Sequence, residues 1–224
     1  MKKLLLLLNW LVICLAISFV GCDDDPDDEC VDASGPIVSE SRNLSSFHSI
    51  RLEGIGNVLL TQGPIQSLRI ESTAAIISRL QTAVSNEQLT ISLQGCVDGS
   101  IPQLDIFIVI PDIELLTLQG VGNISAQNDF KEGFIGVDLN GVGSISLRGE
   151  AETLDVLSSG VGSLMAFDMT TETCDVRLTG VGNVEVTVTN DLAVVISGAG
   201  SVRYKGTPNI TSNISGVGSL INAN

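Results

Sequence analysis

The sequence predicts an all-β fold, a parallel β-helix or β-solenoid with coils of about 18–22 residues. Three observations carry this reading: a recurring Gly-x-Gly unit, apolar residues at fixed offsets from it, and few aromatic residues, 4%, as suits a narrow stacked interior.

The first glycine of the unit stands at Gly54, Gly120, Gly141, Gly160, Gly180, Gly198 and Gly216, and the second at Gly56, Gly122, Gly143, Gly162, Gly182, Gly200 and Gly218. From Gly120 onward the spacings are 21, 19, 20, 18 and 18 residues. The interval of 66 from Gly54 to Gly120 is expected to hold three further units whose glycines have been lost.

Four residues before the first glycine lie Ile50, Leu116, Val137, Val156, Val176, Val194 and Ser212. Two before it lie Leu52, Leu118, Leu139, Ser158, Leu178, Ile196 and Ile214, and four after it Val58, Ile124, Ile145, Leu164, Val184, Val202 and Leu220. These positions alternate with polar ones at period two, as in half-buried strands. Each unit therefore reads as strand, glycine corner, strand, and coils lying directly above one another would stack each offset into an aliphatic ladder. The competing architecture is an antiparallel meander with hairpin tips at the glycines, but a two-residue hairpin favours Asn-Gly, the reverse of the order found.

Glycine suits a corner because it accepts positive φ and close backbone approach. The polar residue that follows, Asn57, Asn123 or Asn183 in three units and Ser144, Ser163, Ser201 or Ser219 in the others, is expected to bond the turning backbone. The terminal coil near Leu220 to Asn224 has no evident cap in the sequence, and an uncapped β-helix end is an association edge.

The first thirty residues speak of export. Lys2 and Lys3 precede an apolar run over residues 4–20, and Gly21-Cys22 follows. This segment resembles a bacterial lipoprotein signal, which implies removal of residues 1–21 and lipid attachment at Cys22. More than one acyl chain on that cysteine would give stable anchoring. Residues 22–36, opening on Asp23-Asp24-Asp25-Pro26-Asp27-Asp28-Glu29, are expected to form an acidic tether, with the folded domain over 37–224. Acidic residues directly after the lipid cysteine resemble the surface-export signals of Bacteroidetes-type lipoproteins. The expected location is thus the outer membrane, facing the cell surface rather than the periplasm.

Without residues 1–21 the basic count falls from 11 to 9 against 26 acids, a net charge of −17, which argues against nucleic acid as a partner. Of five cysteines, Cys14 leaves with the signal and Cys22 is lipidated. Cys30 and Cys96 sit in turn-like sequence and are expected to pair, whereas Cys174 sits in a strand pattern and is expected in the core.

The repeats Gly120-Val121-Gly122-Asn123-Ile124 and Gly180-Val181-Gly182-Asn183-Val184, after the opening Phe47-His48-Ser49-Ile50-Arg51-Leu52-Glu53-Gly54, resemble the head GIN domain family of exported, adhesin-like lipoproteins. The likeness covers about residues 45 to 215. It implies a right-handed β-helix-like body. Four corners carry Ser where Asn could stand, which speaks against an Asn-specific role.

No metal or cofactor is expected. The one histidine, His48, falls in a mostly inward column and is expected partly buried at the first coil. Asp138, Asp155 and Asp175 are candidate acids for a carbohydrate-active β-helix, yet Asp155 and Asp175 share an offset and should form an outward ladder. The favoured function is a non-catalytic surface scaffold or adhesion module, held to the membrane by its lipid and binding an extracellular glycan or protein. A carbohydrate-binding or carbohydrate-active β-helix is the alternative.

Overall fold

The computed structural model describes residues 30–99 and 103–224. Cys22, the signal segment and most of the acidic stretch lie outside the described residues. Over the described residues the fold is all-β apart from one short helix, and most of the long-range strand pairs are parallel.

The solenoid is plainest over β10 (Leu115–Leu118), β11 (Val121–Ala126), β12 (Phe130–Leu139), β13 (Val142–Ser158), β14 (Val161–Leu178), β15 (Val181–Ile196), β16 (Ala199–Lys205), β17 (Asn209–Ile214) and β18 (Val217–Asn222). From corner to corner β13, β14 and β15 each run as one long strand, bent where the register shifts, near Leu147 and Phe167. Each lies parallel to the next coil in register. Leu118 therefore pairs with Leu139, Leu139 with Ser158, Ser158 with Leu178, Leu178 with Ile196, and Ile196 with Ile214. On the other side of the corner Ile124, Ile145, Leu164, Val184, Val202 and Leu220 make the matching ladder. Close to the corner, residues at even offsets from the first glycine are inward and those at odd offsets outward.

The corner glycines are required by the approach of one coil to the next. A Cβ on Gly120 would lie 1.8 Å from the Gly54 carbonyl oxygen, and one on Gly122 1.8 Å from that of Gly56. Gly122 also has φ of +150°. Glycine stacks on glycine because the backbone amide beside it must reach that carbonyl: Val121 N–H donates to Gly54 O at 2.9 Å, and Val142 N–H to Gly120 O at 2.9 Å.

The interval between Gly54 and Gly120 departs from expectation. β3 (Ser49–Leu52) and β4 (Ile55–Gln62) lie directly against β10 and β11, with Leu52 opposite Leu118 and Gly56 opposite Gly122, so no coil intervenes. The intervening chain instead folds on the far side of β3 and β4 as a cap. β5 (Ser67–Thr73) runs antiparallel between β2 (Ile37–Arg42) and β9 (Asp105–Ile110), and β9 is parallel to β4. β6 (Leu80–Ser85) and β7 (Gln88–Leu93) form a hairpin, and β7 is parallel to β3. Both turn residues, Asn86 and Glu87, have positive φ, as a type I′ turn demands. The expectation of three glycine-less coils fails because period two identifies a strand but not the direction of its neighbour.

Helix α1 (Ala74–Arg79) starts where the Thr73 hydroxyl accepts from Ile76 N–H, and it buries Ile76 and Ile77. β1 (Val31–Asp32) pairs with β8 (Val97–Asp98), Ala33 is buried, and Cys30 and Cys96 are joined with their Cα atoms 4.6 Å apart. Packed chain thus begins within 22–36, because the link and Ala33 hold these polar residues to the cap.

His48 stands at the edge of this cap, its ring about one-third exposed, with Nδ1 2.7 Å from Asp112 Oδ1. That hydrogen bond raises its pKa above the ordinary 6.5, with nearby Glu87 and Glu114 adding to it. Cys174 is buried between Leu154 and Leu192, and burial pushes its thiol up to about 12, where it is inert.

Three outcomes are expected. Leu178→Ala should cost roughly 2–5 kcal/mol, and Gly143→Ala roughly 2–4 kcal/mol by placing a methyl against the Gly122 carbonyl, both read from denaturant midpoints. Because the folded His48 binds its proton more tightly than the unfolded one, its contribution is full below the ordinary value and is lost as pH rises through the folded one. The stability gap between wild type and Asp112→Asn should therefore be larger at about pH 5.5 than at about pH 8.5. An equal gap at both would show that the pair does not couple to folding.

Candidate functional site

Between the two glycines of every corner stands one more residue: Ile55, Val121, Val142, Val161, Val181, Ala199 and Val217. Its offset is odd, so it faces outward. The seven are in register from coil to coil. Ile55, Val121, Val142, Val161 and Val181 are each about half exposed, between 48% and 55%, and Val217 is 85% exposed. Six inter-strand steps of about 4.8 Å make the ridge about 29 Å long.

Uncharged polar columns flank it on both sides over most of its length. On one side Asn123 Nδ2 donates to Asn57 Oδ1 at 3.0 Å, Ser144 Oγ donates to Asn123 Oδ1 at 2.6 Å, and Ser201 and Ser219 hydroxyls lie 3.0 Å apart. Asn57 in turn donates to Asp105 at 3.0 Å, where the cap begins. Asn183 continues the column between Ser163 and Ser201. These side chains bond one another along the ladder, whereas the expectation was bonding to the turning backbone. The second column runs through Gln119, Asn140, Ser159, Thr179, Ser197 and Ser215, and there Ser159 donates to Asn140. Glu53 at the first coil is its one charged member.

The glycines make this edge smooth. With no side chain on either side of the aliphatic residue, the ridge stands between two shallow backbone troughs whose amides are already spent on the coil below. Such an edge offers no reacting group. It offers apolar contact along its crest and hydroxyl and amide groups along its flanks.

The acids lie elsewhere. Glu132, Glu150, Glu152 and Glu172 line a groove of about 680 Å³ with Lys131, Thr170, Thr171 and Thr189. Burial raises the pKa of Glu132, opposed by the hydrogen bond its carboxylate accepts from Ile113 N–H. Asp155 and Asp175 pair in register on the outward face, with Arg177 Nε 3.8 Å from Asp175, and Asp138 lies in another column, opposite Leu157. None of the three lines that groove. Among the described residues no group of three or more metal-ligating side chains converges.

A family described as "Putative auto-transporter adhesin, head GIN domain" matches residues 46–208. The chain belongs to this family. The head GIN domain here is also similar to three solved structures. A putative adhesin from Bacteroides fragilis is 22% identical, with a TM-score of 0.73 over 86% of this chain and 99% of that one. A putative adhesin from Parabacteroides distasonis is 15% identical, with a TM-score of 0.56 over 87% and 100%. A putative lipid binding protein from the same species is 17% identical, with a TM-score of 0.52 over 88% and 100%. At these identities the likeness establishes the fold. No curated protein matches the chain. The corner ridge runs through the whole head GIN match, and only Val217 lies past its last residue. Sequence reasoning on the glycines and Asn residues passed over it, although offset parity alone places it outside.

Proposed function

We propose that this head GIN domain is a non-catalytic, adhesin-type binding module displayed at the cell envelope, and that the aliphatic corner ridge is its binding edge. The single observation behind this reading is the ridge itself: a continuous exposed apolar line with uncharged flanks in a chain of net charge −15. Exposed apolar surface of this length marks an interaction site more often than it marks a solvated face. The ligand class is an extracellular glycan or a protein, gripped by contacts repeated at every coil rather than by one pocket.

Display follows from the N-terminus. Removal of residues 1–21 and lipidation of Cys22 would anchor the chain in the outer membrane, with the acidic residues after it holding the domain away from the headgroups and toward the cell exterior. The winding of the coils is right-handed on this reading, in line with the general preference of parallel strand crossovers.

Two experiments bear on it. Val142→Asp and Val181→Asp together put carboxylates on the outward column two coils apart, with Val161 between them so that no two are directly opposed. The fold should persist while binding of expressing cells to glycan-coated and protein-coated surfaces drops by about tenfold or more. Undiminished binding by a folded variant would remove the ridge from the function. Cys22→Ser should move the protein from the membrane fraction to the soluble one and abolish labelling with a fatty-acid probe. Retention in the membrane fraction would mean another anchor.

A further inference from the structure

The two ends of the solenoid are built differently. At the N-terminal end the ladder is closed by a helix, antiparallel strands and charge: edge strand β2 carries the Glu40–Arg42 ion pair at 2.7 Å, and β6 follows Arg79. Such devices blunt a sheet edge against pairing with another chain. At the other end, among the described residues, β17 pairs only with β15 and β18 only with β16, so each has one edge unpaired. The interior ladder is left uncovered there, with Ser212 and Ile214 exposed and Leu220 partly so. From Gly206 to Asn224 the sequence has no charged side chain, in a protein with 26 acids and 11 bases.

We propose that the coil over residues 209–222 is a self-association surface on which a second copy of this chain docks end to end. The occupant is a copy rather than a charged partner because this coil carries nothing for opposite charge to grip, while it spares two strongly acidic bodies the repulsion they would feel through their charged columns. The strands suit a two-fold arrangement. β17 and β18 are six residues each and flank the Ser215–Gly216 corner, one running toward it and the other away. A two-fold axis through that corner sets β17 of one copy antiparallel to β18 of the other, twice over, and closes both open edges in one isologous contact. The same step buries the uncovered end of the ladder against its counterpart.

The surface lies at the end of the ridge and does not depend on the ridge binding a ligand. The test uses the full chain, extracted in mild detergent and also left in intact envelopes. Sedimentation should show a dimer, and Ser215→Cys should give a disulfide-linked dimer in envelopes under mild oxidation, whereas Val142→Cys on the ridge should not. Ser212→Lys, whose side chain reaches solvent in a single copy but is trapped in the pair, should raise the dimer dissociation constant by about tenfold or more. Its β-sheet circular dichroism should be retained, since Ser212 is exposed. A monomer at all concentrations, cross-linking to another protein instead of a second copy, or an Ser212→Lys dimer as tight as wild type would each overturn the proposal. The ridge carboxylate variant should still dimerise, which separates failure of this surface from failure of the binding edge.

Discussion

Everything in this fold depends on how closely two backbones approach at the corner. The amide of the residue between the glycines donates to the first-glycine carbonyl of the coil below, and a Cβ on the first glycine above would sit 1.8 Å from that oxygen at Gly120 and 2.2 Å from it at Gly160, Gly180 and Gly216. Only a column of glycines can satisfy both conditions at every step. The corner thereby acts as a register pin. A slip of one residue would turn every inward side chain outward on both flanking strands, so the pin and the aliphatic ladders support one another.

The pinned register restricts what the interior can hold. Each position must fit its own kind above and below, which favours Val, Ile and Leu, and the buried aromatics Phe47 and Phe130 fall outside the repeating corner columns. Cys174 passes as a small apolar residue between two leucines, its thiol held protonated by its surroundings. Ser158 is the exception, standing in a leucine column with its hydroxyl buried and no hydrogen-bond partner among the described atoms. Such a group costs about 1–3 kcal/mol. The long ladders around it offset that.

The coils were legible because their information is local and repeated: seven corners report the same offsets, and a ladder needs nothing else. The cap was not, since the alternation in Leu68, Ile70, Leu89 and Ile91 is the same whether the neighbour runs parallel or antiparallel. What decides direction there is a hairpin turn at Asn86–Glu87 without the usual glycine, and a helix of six residues with two buried isoleucines. Residues 30–34 read as tether because the acidic run before them, continued by Asp32, speaks louder than one alanine and one cysteine. The edge was half legible. Glycine and Asn positions stand out in the sequence, and the Val between them reads as filling until its parity is compared with that of the interior columns.

Stacking in register also governs charge. Any charged residue repeated at one offset becomes a like-charge ladder with steps of about 4.8 Å, and directly opposed like charges destabilise a sheet. Asp155 and Asp175 make such a pair, but it ends after two rungs, at Gly136 on one side and Ala193 on the other, with Arg177 near one carboxylate. Repeated columns must therefore be uncharged, which accounts for the Asn, Ser and Thr beside the corner without any appeal to function. It does not account for the ridge. Threonine is β-branched, suits an extended backbone and would present a hydroxyl to water, and it could stand between the glycines as well as valine does. At six of seven corners the residue is Val or Ile and at the seventh Ala, all exposed to solvent. An apolar choice kept at every coil, where the fold would accept a polar one, is what points to a partner.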